Sequence, residues 1–417
     1  MAIDFPASPV VGQEFVSATV TYVYNGYGWL MKPQANPYVA KAGDVMTGQL
    51  ELPSSPAPVA ANAVRKDYVD AAASAADAAM KVYAAPLDAL AYNGMQINGS
   101  MEVSQERGNT ASALYGYVCD GWLLTGGIAG LTFQTSATPS GPVMAANGFK
   151  NYFALVVTTG APSLIATDSL NLLQRIEGCK IARLGWGFAN AKPLTIGFWC
   201  NHSRTGTYSC AIRNSPVTHS YIASYTQNVA STWEYKTITI PGPTVGTWAI
   251  DNTAGILVSF CMTSGSTNIA SSANTWLTGS LLAAPGQVNG VAANTDSFNL
   301  AGIVILPGIY APTAAQSPLI MRPYDQEILT CKRYWNQGQV QWDGWIIAGQ
   351  SRVSDNISFE VPMRTSPTFV LTNNGGTGVG APGAAASAFW NGAEIYCATA
   401  AAGAAAFNVT WKADARL

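Results

Sequence analysis

From about residue 92 to its last residue, the chain is a succession of short runs in which apolar and polar residues alternate. Each run is closed by Gly, Pro, Asn, Ser or Thr. The clearest runs are residues 193–199, 207–212, 233–240, 256–260 and 301–306, then 357–361, 369–371, 394–396 and 407–411. A period of two puts successive side chains on opposite faces, so every run can bury one face against a partner sheet. Many such runs, separated by turn residues, predict a mainly β fold built of sandwiches. A composition shift after Arg333-Tyr334-Trp335 predicts a boundary, with one sandwich over residues 92–335 and a smaller one over 336–417. The Gly- and Ala-rich stretches 375–388 and 398–406 are too poor in large residues to hold a core and are predicted as long loops.

The first 91 residues read differently. Residues 16–24 are β-branched and aromatic, and Asn25-Gly26 follows before Trp29-Leu30. An Asn-Gly pair between such runs is a hairpin signal. Residues 1–33 therefore form a small β module, too short to bury a core alone. Five prolines between 33 and 58 forbid a long helix, leaving one short β element at 43–50 in a stalk that spans 34–91. Residues 59–84 then turn Ala-rich. Val64, Tyr68, Ala71, Ala75, Ala78 and Val82 recur at alternating spacings of four and three, the period of a coiled-coil seam. The other reading of that helix is an amphipathic one lying on a globular domain.

Charge excludes several function classes. Charged residues are 11% of the chain and the formal net charge is −2. Phosphate binding needs clustered Lys and Arg, and the densest basic spots are the isolated pairs Arg65-Lys66 and Lys332-Arg333, so nucleic acid is not an expected partner. No apolar run approaches the length of a membrane span, and the first nine residues lack the pattern of a signal peptide; assembly in a cytoplasm without membrane insertion is expected. Seven cysteines show no CxxC pair and read as small buried hydrophobes. Cys200 and Cys210 flank Gly206 symmetrically and are the pair a hairpin would bring together for oxidation.

Catalytic chemistry has little to draw on. The two histidines are His202 and His219, and Cys200-Asn201-His202 sits in a predicted turn without a second ligand pair, so no metal and no cofactor are expected. Carboxylates of the β region are sparse and follow no solenoid period, so no catalytic residues are assigned. Sugar contact has a better basis, because 12 Trp and 18 Tyr offer amphipathic rings for apolar sugar faces. Most are expected in cores. The candidates for exposed glycan contact are Trp342, Asp343 and Trp345, where two aromatics surround an acidic turn, with Trp390 after a Gly/Ala loop and Tyr396.

Three local patterns, in this order, resemble tail-fibre proteins of tailed bacteriophages. Phe5-Pro-Ala-Ser-Pro9 with Tyr22, Tyr24 and Trp29 is similar to an amino-terminal virion module. Gly43-Asp44-Val45-Met46-Thr47-Gly48, followed by Asn62-Ala63-Val64-Arg65-Lys66-Asp67-Tyr68-Val69-Asp70, is similar to a fibre shaft motif and is the most specific of them. Residues 98–335, with Phe198-Trp199, Gly246-Thr247-Trp248 and the closing Cys-Lys-Arg-Tyr-Trp, look like a jelly-roll, carbohydrate-module-like domain. Residues 359–368 resemble a small terminal fibre domain.

The resemblance implies a homotrimer on the virion surface. Phe5, Tyr22, Tyr24 and Trp29 would contact another virion protein of the tail, baseplate or collar, and the distal sandwiches would bind host surface polysaccharide. It leaves open a collar, neck or head fibre of mainly structural role, and, third, a glycan depolymerase. The shaft is short: a 24-residue helix rises about 36 Å.

Overall fold

A computed structural model describes residues 3–32, 69–74, 94–108, 110–137, 142–387 and 390–417. The chain divides into two compact units, Met1–Tyr83 and Ala84–Leu417. Of the seam positions only Ala71 is described, in an exposed helical segment over 69–74; Val64, Tyr68, Ala75, Ala78 and Val82 lie outside the described residues.

In the first unit β1 (Glu14–Ser17), β2 (Val20–Tyr24) and β3 (Trp29–Met31) form one antiparallel sheet. The long run 16–24 is split, because Ala18 turns through φ +55 and folds β1 back on β2. The second hairpin closes at Asn25, whose Oδ1 accepts the backbone N–H groups of Tyr27 and Gly28 at 3.0 and 2.9 Å, with Gly26 at φ +98.

The large sandwich is antiparallel within both layers. One sheet orders as β14 (Trp276–Thr278), β11 (His219–Gln227), β10 (Gly206–Asn214), β13 (Ala254–Ser264), β8 (Ser169–Glu177), β5 (Trp122–Gly127) and β4 (Gly116–Cys119). The other orders as β12 (Glu234–Ile240), β9 (Leu194–His202), β15 (Ser297–Pro307), β7 (Phe153–Thr159) and β6 (Thr132–Ser136). Alternation builds the core: Tyr208, Cys210 and Ile212 of β10 meet Leu194, Ile196, Phe198 and Cys200 of β9 and Val258 and Phe260 of β13. The same alternation turns Ser209, Ala211 and Arg213 to the outer face, where Ala211 packs under Leu282, Ala283 and Ala284 of the β14–β15 connection.

Cys200 and Cys210 are therefore not hairpin partners. β9 and β10 belong to opposite sheets, both thiols are free and buried, and burial pushes the Cys200 thiol up to about 12. His202 is no turn residue either. It ends β9 with 0% exposure, its ring stacked on Phe298 at 3.9 Å, and burial lowers it to about 3.

β16 (Trp335–Ile346), β21 (Gly403–Asp414) and β18 (Thr368–Thr377) form one layer of a second sandwich; β17 (Arg352–Ser358), β20 (Gly392–Thr399) and β19 (Val379–Ala386) form the other. Its core is Val340, Ile346, Val353, Ile395, Cys397, Phe407, Val409 and Trp411. The predicted loops are strands here. Residues 379–386 pair with β20 and residues 403–406 open β21. Gly and Ala are weak strand formers, but the ladder to a strong neighbour satisfies their backbone groups. Their small side chains then leave room above the sheet.

The two sandwiches are joined within one unit by arginines. Arg333 grips buried Glu177 through Nε and Nη2 at 2.8 and 2.9 Å. Arg416 lies over the rings of Tyr117 and Trp335, 4.0 and 4.1 Å from their centroids, and pairs with Glu106 and Asp414. Arg364 donates to the Asn252 carbonyl at 3.0 Å.

Candidate functional site

The aromatic candidates separate across the small sandwich. Residues 342–345 are not a turn; they continue β16 and alternate. Trp342 points inward and stacks on Phe407 at 6.0 Å, while Asp343 is exposed and Trp345 is 70% exposed on the outer face. Trp390 also packs on the core, in a tight turn at φ +54 whose N–H bonds the Ser387 carbonyl. Tyr396 lies on the other sheet. The five residues thus do not form one site: Trp342 and Trp390 carry core packing, Asp343 and Trp345 share one face, and Tyr396 stands on the opposite layer.

Around Tyr396 the structure brings together residues that the sequence reading passed over. Register places Asn356, Glu394 and Ala385 in one cross-strand row and Ser354, Tyr396 and Gly383 in the next. Val353, Ile395 and Cys397 point to the core, so these rows face outward. At one end of this face opens a groove of about 390 Å³, lined by Asn356, Ser358, Ser387, Asn391 and Glu394 over the small residues Ala385, Ala386 and Ala393.

Each side chain is held by a local cause. Tyr396 lies across Gly383, where any Cβ would stand 2.5 Å from the ring, so the Gly at that position is what lets the ring settle on β19. Arg352 caps the arrangement: its guanidinium is 5.0 Å from the Tyr396 centroid and bridges to Glu394 at 2.9 Å. Ser387 donates to Asn391 Oδ1 at 2.7 Å, a bond that does not use the Asn391 amide nitrogen.

The groove offers amides, hydroxyls and one carboxylate already neutralised by a guanidinium, with the half-buried Tyr396 ring beside it. Such a set bonds hydroxyl-rich, uncharged ligands. Hydrolysis of a glycoside ordinarily uses two carboxyl groups about 5–10 Å apart. Glu394 is the single carboxylate among the groove's lining residues. Among the described residues no group of three or more His, Cys, Asp or Glu is placed to hold a metal, and no helix is long and apolar enough to cross a membrane.

The residues expected to attach to another virion protein pack on one another within their own unit. Phe5 stacks on Trp29 at 5.3 Å and meets Phe15 and Tyr22 edge-on at 5.4 and 5.2 Å, while Tyr24 packs on Trp29 at 5.5 Å. They form the module's own small core. The exposed large apolar side chains there are Ile3, Val10, Val11, Val16, Tyr27, Leu30 and Met31.

No protein-family model matches the sequence, and no curated protein is significantly similar to it. Solved structures similar to this chain include the enzymatically active domain of tailspike protein 4 of bacteriophage CBA120, 14% identical, with a TM-score of 0.28 over 52% of this chain and 22% of that one. A CBM4 module is 12% identical over 50% of this chain and 97% of its own, with a TM-score of 0.25. A family 11 carbohydrate-binding module from Clostridium thermocellum, in complex with a β-1,3-1,4-mixed-linked tetrasaccharide, is 15% identical over 48% and 98%, also at 0.25.

Proposed function

We propose that this chain is a non-enzymatic adhesion fibre of a tailed-phage virion, a homotrimer whose small carboxy-terminal sandwich binds a surface glycan of the host. The observation that carries the binding role is the outward groove on β17–β20–β19, with its neutral set of amides and hydroxyls beside the Arg352-capped Tyr396. The shaft-like motif at residues 43–70 supports the fibre assignment, and the alanine seam supports the trimer. The amino-terminal module would dock to a neighbouring virion protein through its exposed apolar side chains together with the half-buried rings of Phe5, Tyr22, Tyr24 and Trp29.

The test is a titration of the full chain against polysaccharide extracted from susceptible cells, with the size of the glycan followed in parallel. Saturable binding without shortening is expected. Release of oligosaccharides would make the chain an enzyme, and an absence of binding would move it to a structural collar or head fibre. Light scattering tests the trimer independently, and a monomer at micromolar concentration would remove it.

A further inference from the structure

The junction between the two sandwiches holds a cavity of about 20 Å³, whose lining includes Ser104, Arg107, Tyr117, Asp120, Trp335 and Arg416. A single water needs about 10–15 Å³ of such space, so the cavity takes one water-sized or monatomic guest and nothing much larger. Ser104 and Arg107 belong to the turn before β4, where the Gly108 N–H bonds the Ser104 carbonyl at 2.9 Å. Positions three apart in a helical turn lie on one side, so both side chains leave the turn in the same direction. Trp335 opens β16, and its carbonyl accepts Gln105 Nε2 at 2.9 Å, which ties it to that turn. The Arg107 guanidinium reaches β4, where a Cβ on Gly116 would stand 3.3 Å from its Nη2. The next residue, Tyr117, shares the Arg416 guanidinium with Trp335, at 4.0 and 4.1 Å from the two ring centroids.

Three donors of this lining are sealed from solvent without a hydrogen-bond partner: Ser104 Oγ, Arg107 Nη1 and Trp335 Nε1. Trp335 itself is 4% exposed. The Tyr334 hydroxyl, a fourth polar group there, is turned to Glu177 instead. Indole and guanidinium nitrogens only donate, and a serine hydroxyl can. Buried donors with no acceptor are costly, and three in one lining call for a guest that accepts. The acceptors of the lining are already committed. Asp120 takes the backbone and side-chain N–H groups of Gln105 at 2.9 and 2.5 Å, Glu106 pairs with Arg416, and a main-chain oxygen of Leu417 takes Tyr117 and Arg175 at 3.2 and 2.8 Å. Arg416 has two carboxylates, Glu106 and Asp414, whereas Arg107 has no ion pair among the described residues.

We propose that this cavity binds one halide ion, chloride in ordinary media, which accepts from Arg107 Nη1, Ser104 Oγ and Trp335 Nε1 and supplies the counter-charge that Arg107 lacks. A polyatomic oxyanion exceeds the volume, and a neutral water would leave the guanidinium uncompensated. The ion joins the turn before β4, in the large sandwich, to the first residue of β16, in the small one. Its occupancy therefore strengthens the junction by mass action.

The experiment replaces chloride by gluconate, an anion too large for the cavity, at constant ionic strength. The full chain is followed by the line width of the chloride NMR signal and by calorimetric unfolding. The expected result is a broadening that bromide reverses by competition, with an unfolding temperature that rises along a saturable curve as chloride is restored. Arg107→Gln should weaken halide affinity more than about tenfold, and Trp335→Phe, which keeps a ring but removes the N–H, more than about threefold. A chloride line unaffected by the chain would mean that the cavity takes water only and overturns the proposal. Broadening with an unfolding temperature indifferent to chloride marks loose surface association and overturns it as well. So does unaltered affinity in Arg107→Gln; should that variant or Trp335→Phe fail to fold, unaltered affinity in Ser104→Ala decides in the same sense.

Discussion

A histidine in the middle of an aromatic cluster has to be neutral, and His202 shows the consequence most clearly. Its Nε2 lies 3.1 Å from the Tyr225 hydroxyl, and burial, against the weaker upward pull of the Glu234 charge, holds it at about 3 instead of the ordinary 6.5. The unfolded chain takes up this proton first as pH falls through 6.5, so the stability due to neutral His202 is present above 6.5 and is lost progressively toward pH 3. Between pH 7.5 and 5 the loss should be about 2 kcal/mol. Asp120 acts in the opposite sense. Burial raises it to about 6, so its penalty grows as pH rises from the unfolded carboxylate range through 6. Urea unfolding of the chain and of His202→Gln at both pH values separates the two, because the variant loses the His202 contribution and keeps that of Asp120. Equal pH sensitivity in both proteins would show that His202 does not titrate as described. The burial of His202 was hidden in the sequence: the turn expected at Cys200-Asn201-His202 begins only after it, and Phe298, which stacks on its ring, lies almost a hundred residues away.

At the scale of elements, period-two alternation located half of the sandwich strands, because one face of each is tied to a core, and left β4 to β8, β11, β14 and β16 unmarked. Residues 194–202, 206–214, 254–264 and 297–307 all overlap runs expected from the pattern alone. What alternation could not show is β19, whose Gly and Ala carry no hydrophobic signal and whose pairing is dictated by β20. For the same reason the groove was half legible. Glu394-Ile395-Tyr396 reads as out, in, out, so Tyr396 was recoverable as an exposed ring, whereas Asn356, Ser358 and Asn391 meet it only through register. Trp342 failed as a candidate because a continuous β16 puts it one residue out of phase with Trp345.

Tyr396→Ala should weaken glycan binding about tenfold, through loss of ring contact, while the far-ultraviolet spectrum stays unchanged. Ala385→Trp fills the trough beside Glu394 and should abolish binding in the same titration without unfolding the sandwich. Retained affinity in both variants would place the site elsewhere on the chain.

For the molecule as a whole, the arginine junction ties the small sandwich to the large one, and on the proposed reading it holds the binding surface in place. Arg416 is held by two rings and two carboxylates with a side chain only 15% exposed, so its contacts are shielded from solvent. Arg416→Ala should cost about 1–3 kcal/mol and split unfolding into two transitions, read by calorimetry. A single transition at the unaltered temperature would show that the sandwiches are coupled by other contacts. A rigid junction of this kind suits a fibre that carries its binding surface at a fixed angle, and trimerisation would multiply weak single-site affinities. The most direct measurement is titration of host polysaccharide with the full chain beside Tyr396→Ala and Ala385→Trp. The account predicts saturable binding by the unaltered chain, no shortening of the glycan, and loss in both variants. Binding that survives both substitutions, or oligosaccharide release, would contradict it.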